Sequence, residues 1–142
     1  MPFWKNIQKK IKITTADAWF SKYIRLRDAY HNGYVSCVTC GKAKHWKEMH
    51  CGHFVTREKL ATRFHEKNSH AQCESCNCFK SGEQAKPALA IDRMYGVGTA
   101  QMLIDLGDVR GQKKHTKEDL KYLSDKYRTM AKSEAREKGI EL

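Results

Sequence analysis

Cys37-Val38-Thr39-Cys40 and Cys73-Glu74-Ser75-Cys76 are two CxxC pairs with 32 residues between them. A CxxC turn puts two thiolates on one side of a metal, and Gly41 stands where a glycine often closes such a knuckle. Two pairs complete a tetrahedral four-sulfur site, the preferred environment of structural Zn²⁺. Four protein ligands leave no open position for a substrate, so the zinc expected at Cys37, Cys40, Cys73 and Cys76 is structural. The intervening segment is longer than a simple zinc ribbon needs, so something else is inserted there. Cys51 and Cys78 are left over and read as packing residues. Cys78 lies close enough to Cys76 to be confused with a ligand, but Cys73 is the residue that forms a full pair.

The rest of the chain fits a small zinc-stapled unit. Its 142 residues allow only a modest core. With 27 Lys and Arg against 16 Asp and Glu, the net charge is +11, which attracts polyanions and favours salt-dependent phosphate binding. The first residues, MPFWKNIQKKIKITT, carry charge but no apolar run of the kind that directs export. No membrane span is expected. A cytoplasmic location follows as an expectation, and it agrees with reading the six cysteines as metal ligands and packing residues rather than disulfides.

Residues 1–14 read as a basic arm, and 15–142 as one domain. From Thr15 a helix is expected, with Ala16, Trp19, Phe20, Tyr23, Ile24 and Tyr30 as an apolar stripe and Gly33 as its C-cap. Residues 34–82 hold nearly all the Cys and His and lack a long apolar helix, so metal must replace part of the core. Tyr34–Ser36 and Cys51–Val55 read as short strands. Helices are expected over 83–95, with Pro87 in the first turn and Gly96 as the stop, and over 99–106, ended by Gly107. Thr116 and Asp119 form a capping-box pattern that opens a last helix. In it Leu120, Leu123, Tyr127 and Met130 form a stripe suited to core packing or to a dimer seam. The fold class is therefore α+β: a small zinc-stapled centre flanked by N- and C-terminal helices, with the C-terminal part, 83–142, helical.

The insert holds His50-Cys51-Gly52-His53-Phe54 and Asn68-Ser69-His70, and Asn77 directly follows the second CxxC pair. Phosphodiester hydrolysis needs a base for water, a divalent cation for developing charge, and a scaffold that holds both in line. A neutral His suits the first role near pH 7, and an Asn carbonyl oxygen suits a hard cation such as Mg²⁺. The stretches CVTCG, CGHFVTRE and TRFHEKNSHAQCESCNCFKSG resemble the phage NinG (Rap) recombination endonuclease family, within the HNH (ββα-metal, treble-clef-like) superfamily. The order of motifs is also similar to phage endonuclease VII. The resemblance spans about residues 15–130 and is specific over 37–82.

The resemblance implies a nuclease whose β-hairpin and helix grip one divalent ion. His53 would be the general base, Asn77 would bind the catalytic Mg²⁺ or Mn²⁺, and Asn68 would hold the loop by hydrogen bonds. Most HNH enzymes place an Asp or His ligand just before the base; here that residue is Gly52. His50 and His70 are the candidate substitutes, and His50 would need a bulge or turn at Gly52 to share a face with His53. Lys80, Arg57 and Arg63 are candidate DNA contacts.

Three functions follow. The first is a metal-dependent DNA endonuclease acting on branched recombination intermediates of the Holliday-junction or D-loop type. The second is a zinc-knuckle protein that binds nucleic acid without cutting it, and the third a protein–protein adaptor, against which the charge counts. Under the first, the expected partners are branched DNA, a second copy of the chain, since symmetric cuts favour a two-fold dimer, and recombination or single-strand-binding proteins.

Overall fold

The Thr14 hydroxyl accepts the Asp17 backbone N–H, and the Asp17 carboxylate accepts both Thr14 N–H and Thr14 O–H, so a capping box starts the first helix. In the computed structural model, which describes residues 11–79 and 84–142, this helix is α1, Thr15–Asp28. It is followed by β1 (Tyr34–Ser36), β2 (Ala43–His45), β3 (His50–His53), the one-turn α2 (Leu60–Arg63) and β4 (Ser69–Gln72). A π-type turn (Ser75–Phe79) then leads to α3 (Ala85–Tyr95), α4 (Thr99–Gly107) and α5 (Lys117–Lys138). The α+β class is as expected. Most of residues 1–14, the expected arm, lie outside the described residues, as does the start of the helix expected from 83.

Two antiparallel strand pairs, β1 with β2 and β3 with β4, stand against α1. The main core sits between these pairs and the α1–α5 helix pair. Phe20, Ile24 and Leu26 of α1 are buried there with Val35, Trp46, Met49, Cys51 and Ala71, and with Tyr127, Ala131 and Ala135 of α5. The Phe20 ring meets Tyr127 edge-on at 4.8 Å between centroids and Phe64 at 5.6 Å. Burying each such ring contributes about 1.5–3 kcal/mol. At the far end, Lys138 donates to the Leu26 and Arg27 carbonyls in the last turn of α1, placing a cation at a helix C-terminus.

This packing decides what the α5 stripe does. Tyr127 is 2% exposed, and Leu123 and Met130 pack against the same core. The stripe is used within the chain, facing α1. Two boundaries differ from the sequence reading. α1 stops at Asp28 with Ala29 already extended, so Tyr30 is 60% exposed rather than part of the apolar stripe. Gly33, at φ 83°, serves the turn into β1 instead of capping the helix. The second strand is His50–His53, so Phe54 and Val55 lie beyond it and pack on a smaller cluster of Ile91, Ala100 and Leu103.

α1 also fixes β4. Arg27 donates to the Glu66 and Ser69 carbonyls, and Asp28 accepts the Ala71 N–H and pairs with Arg27 at 2.8 Å. A strand of only four residues is thus tied down by side chains of the helix it packs on. No helix among the described residues is long and apolar enough to cross a membrane.

Candidate active site and metal centre

The first CxxC turn follows β1 and the second follows β4. Cys37 N–H donates to the Lys42 carbonyl, Gly41 N–H to Cys37, and Val38 N–H to Ala71, which ties the first knuckle to β4. Gly41 has φ 76°, the left-handed conformation that favours glycine. The sulfurs of Cys37, Cys40, Cys73 and Cys76 all lie within 4.8 Å of one another, and Cys40 and Cys73 approach to 3.8 Å. With Zn–S bonds of about 2.3 Å, a tetrahedron has S···S edges of about 3.8 Å, so the cluster fits zinc. Burial pushes the Cys37 thiol up, but backbone N–H groups of Cys40, Cys73 and Thr39 outweigh it and hold Cys37 low. Burial and then the neighbouring thiols push Cys76 up. Four thiolates at this spacing need a cation between them. Cys51 is buried in the core and pushed up to about 12, first by burial, as suits a packing residue.

Beside the knuckle lies a cavity of about 180 Å³ lined by His53, Asn68, His70, Gln72 and Asn77, among others. His53 ends β3, and its Nε2 lies 2.9 Å from the Arg63 carbonyl. A carbonyl oxygen only accepts, so Nε2 carries the proton and Nδ1 the lone pair. Burial first, and then the Arg57 cation, push His53 down to about 4. The imidazole is therefore neutral across the physiological range.

Asn68 is fully buried and uses its whole amide on one loop. Its Oδ1 accepts Val55 N–H at 2.8 Å, and its Nδ2 donates to Val55 O at 3.0 Å and Thr62 O at 3.2 Å. These bonds pin both ends of the segment that carries Arg57 and leads into Arg63, whose carbonyl holds His53. Asn77 sits in the π-type turn, with its N–H on the Cys73 carbonyl, directly after Cys76 of the four-cysteine cluster. Its Nδ2 donates to His50 Nδ1 at 3.1 Å.

The β3–β4 register is continuous: His50 faces Gln72, Cys51 faces Ala71, Gly52 faces His70 and His53 faces Ser69. No bulge interrupts it, so His50 and His53 project from opposite faces. His50 does not line the cavity. Its Nδ1 is taken by Asn77, and it orients that amide instead. His70 does line the cavity, is 4% exposed, and hydrogen-bonds Tyr95 Oη through Nε2 at 2.8 Å. Burial pushes it, too, down to about 4.

Of the expected DNA contacts, Arg63 is committed inward. It pairs with Asp17 through two bonds of 2.9 and 2.6 Å and donates to the Lys12 carbonyl. It is 11% exposed, a structural clamp rather than a surface cation. Arg57 stands 3.9 Å from the same carboxylate and close enough to depress His53. Lys80 lies outside the described residues. Sequence reasoning missed Gln72 and Tyr95. Both reach the cavity region only through strand pairing and the packing of α3, which no local motif announces.

A family model described as Bacteriophage Lambda NinG protein matches residues 5–137, nearly the whole chain. The chain belongs to the NinG family. NinG is a phage recombination-associated protein. The match covers both CxxC pairs, His53, Asn68 and Asn77, so the cavity and the cysteine cluster are parts of the NinG unit. No curated protein and no solved structure matches this NinG-family chain.

Proposed function

We propose that this NinG-family chain is a metal-dependent DNA endonuclease of the HNH type that hydrolyses phosphodiesters in branched recombination intermediates. One observation carries the reading: a neutral histidine of fixed tautomer shares a cavity with an asparagine anchored beside the zinc-type knuckle. In this reading β3, β4 and the turn that bears Asn77 form the ββα-metal unit, as in endonuclease VII. Zinc at the four cysteines holds the unit together.

His53 Nδ1 takes the proton of the attacking water, while the Arg63 carbonyl keeps the ring oriented and stabilises the imidazolium that forms. Asn77 offers Oδ1, since its Nδ2 is occupied by His50. A Mg²⁺ or Mn²⁺ ion held there supplies charge neutralisation at the scissile phosphate and the leaving oxygen. Arg57 adds a cation at the edge of the site. The +11 charge draws in the DNA backbone. Action in the cytoplasm as a two-fold dimer, recruited by recombination or single-strand-binding proteins, completes the proposal.

A second reading, a zinc protein that binds nucleic acid without cutting it, is favoured by one fact. Among the described residues, the four cysteines are the only group of three or more His, Cys, Asp or Glu arranged to hold a metal. Incubating the protein with four-way junction, flap and linear duplex DNA decides between them. The nuclease reading expects cutting with Mg²⁺ or Mn²⁺ and none with chelator. Binding without cutting under every condition selects the second reading.

A further inference from the structure

From Ala29 to Lys47 the chain has no Asp or Glu and carries Lys42, Lys44 and Lys47. Asp28, just before this run, is turned to Arg27 and to the Ala71 N–H. β1 and β2 form a hairpin inside the run. Val35 is buried in the core, so by alternation Tyr34 and Ser36 leave the opposite face, where they pair with His45 and Ala43. Tyr34 is 48% exposed, and Tyr30, whose N–H donates to the Tyr34 carbonyl, is 60% exposed. His45 braces the Tyr34 ring edge-on at 6.0 Å between centroids. His45 is itself fixed: its Nδ1 accepts the Lys47 N–H, and its ring lies over Gly33, where an added methyl group would come within 3.2 Å of Nε2. Behind it stands the buried Trp46 ring, 6.2 Å away. Ser36 and Ala43, the other residues of the face, are small. Braced, exposed rings flanked by lysines suit single-stranded nucleic acid, because every base has a face to stack and ammonium groups take the phosphates.

We infer that the outer face of the β1–β2 hairpin is a docking surface for single-stranded DNA, with unpaired bases stacking on Tyr34 and Tyr30 and with Lys42 and Lys47 taking the flanking phosphates. This assignment rests on the nucleic-acid binding common to both readings above, and it holds whether or not the chain cuts. The hairpin is also tied to the cavity. Val38, just beyond β1, donates its N–H to Ala71 of β4 and lines the cavity. A strand held on the hairpin therefore has a fixed place relative to His53 and Asn77.

The test is fluorescence-anisotropy titration of the zinc-loaded protein with labelled oligothymidine, oligouridine and blunt duplex DNA, with junction cutting and zinc content measured on the same preparations. Tyr34→Ala is expected to weaken oligothymidine binding by at least about fivefold, the low end for one stacked base, with blunt-duplex affinity and zinc unchanged. Tyr34→Trp keeps the affinity, because an indole stacks as well. Lys42→Ala and Lys47→Ala each lower the slope of log affinity against log salt for oligothymidine by about 0.7. Wild-type oligothymidine affinity in Tyr34→Ala, or an equal loss for blunt duplex, overturns the inference. Should the alanine variant lose zinc, Tyr34→Leu keeps the bulk without a ring, and wild-type affinity there overturns it too. Tighter binding of oligouridine than of oligothymidine assigns the face to RNA and overturns the DNA assignment. Wild-type cutting beside any of these results leaves the nuclease reading intact. A wild type that binds no nucleic acid removes both readings, and the hairpin assignment falls with them.

Discussion

Asn68→Ala removes three hydrogen bonds from a side chain with no solvent exposure. Each is worth about 1 kcal/mol net, and each orphaned group that water cannot reach adds to that. Val55 N–H and the Val55 carbonyl lose their partner, while the Thr62 carbonyl keeps the His65 N–H. The loss is about 3 kcal/mol, or about 10 °C in Tm for a chain of this size. Asn68→Asp is no milder, because it keeps the bond from Val55 N–H and turns an acceptor toward two carbonyls. Urea unfolding with zinc kept bound measures the change, and hydrogen exchange at Val55 locates it. Cutting should fall further than the unfolded fraction explains, since the released segment carries the Arg63 carbonyl that orients His53. A loss below about 1 kcal/mol, with Val55 still protected, refutes the loop-clamp reasoning.

The pH dependence follows from His53 and His70, both depressed from the usual 6.5 to about 4. The unfolded chain binds these protons more readily, so stability is full above pH 6.5 and falls as pH drops toward 4, by up to about 3 kcal/mol per imidazole. Chemical denaturation at stepped pH reads the loss, and an NMR titration of Arg57→Gln should show His53 moving up, since a depressing cation is gone. Asp17→Ala strands the inward-facing Arg63 guanidinium; thermal unfolding should show a loss of about 3–5 kcal/mol, and a loss under 1 kcal/mol would make the pair incidental. Cys73→Ser should lower zinc content well below the one ion per chain expected of the wild type and lose cooperative unfolding; full zinc retention would shift the ligand set toward Cys78.

The sequence made the helices legible where caps and periodicity agree. Thr116 and Asp119 start α5 by the bonds that their spacing implies, and Gly96 ends α3. The cysteine spacing implied a four-sulfur cluster, and chain closure brings those sulfurs together. Where the pattern misled, tertiary contacts had taken over. Tyr30 continues the spacing of α1, yet the helix unwinds after Asp28, which turns outward to hold Ala71 on β4. Arg63 looks like a surface cation, and its partner Asp17 lies 46 residues away. β2 and α2 are too short for periodicity to register. In the cavity, His53, Asn68 and Asn77 were visible as residue types at telling places in the chain. The role of His50 was not, because it depends on the face from which the residue leaves β3. Gln72 was invisible for the same reason: only strand register sets it over Gly52.

The central claim is that His53 acts as base in a cation-dependent DNA cut. Single-turnover cutting of a four-way junction, with protein in excess and Mn²⁺ present, tests it most directly when the wild type and His53→Ala are matched for zinc content and DNA affinity. The account predicts measurable wild-type cutting abolished by chelator, and a rate about 10²–10⁴-fold lower in the variant. Equal rates in the two proteins, or tight junction binding with no cutting by either, would contradict it.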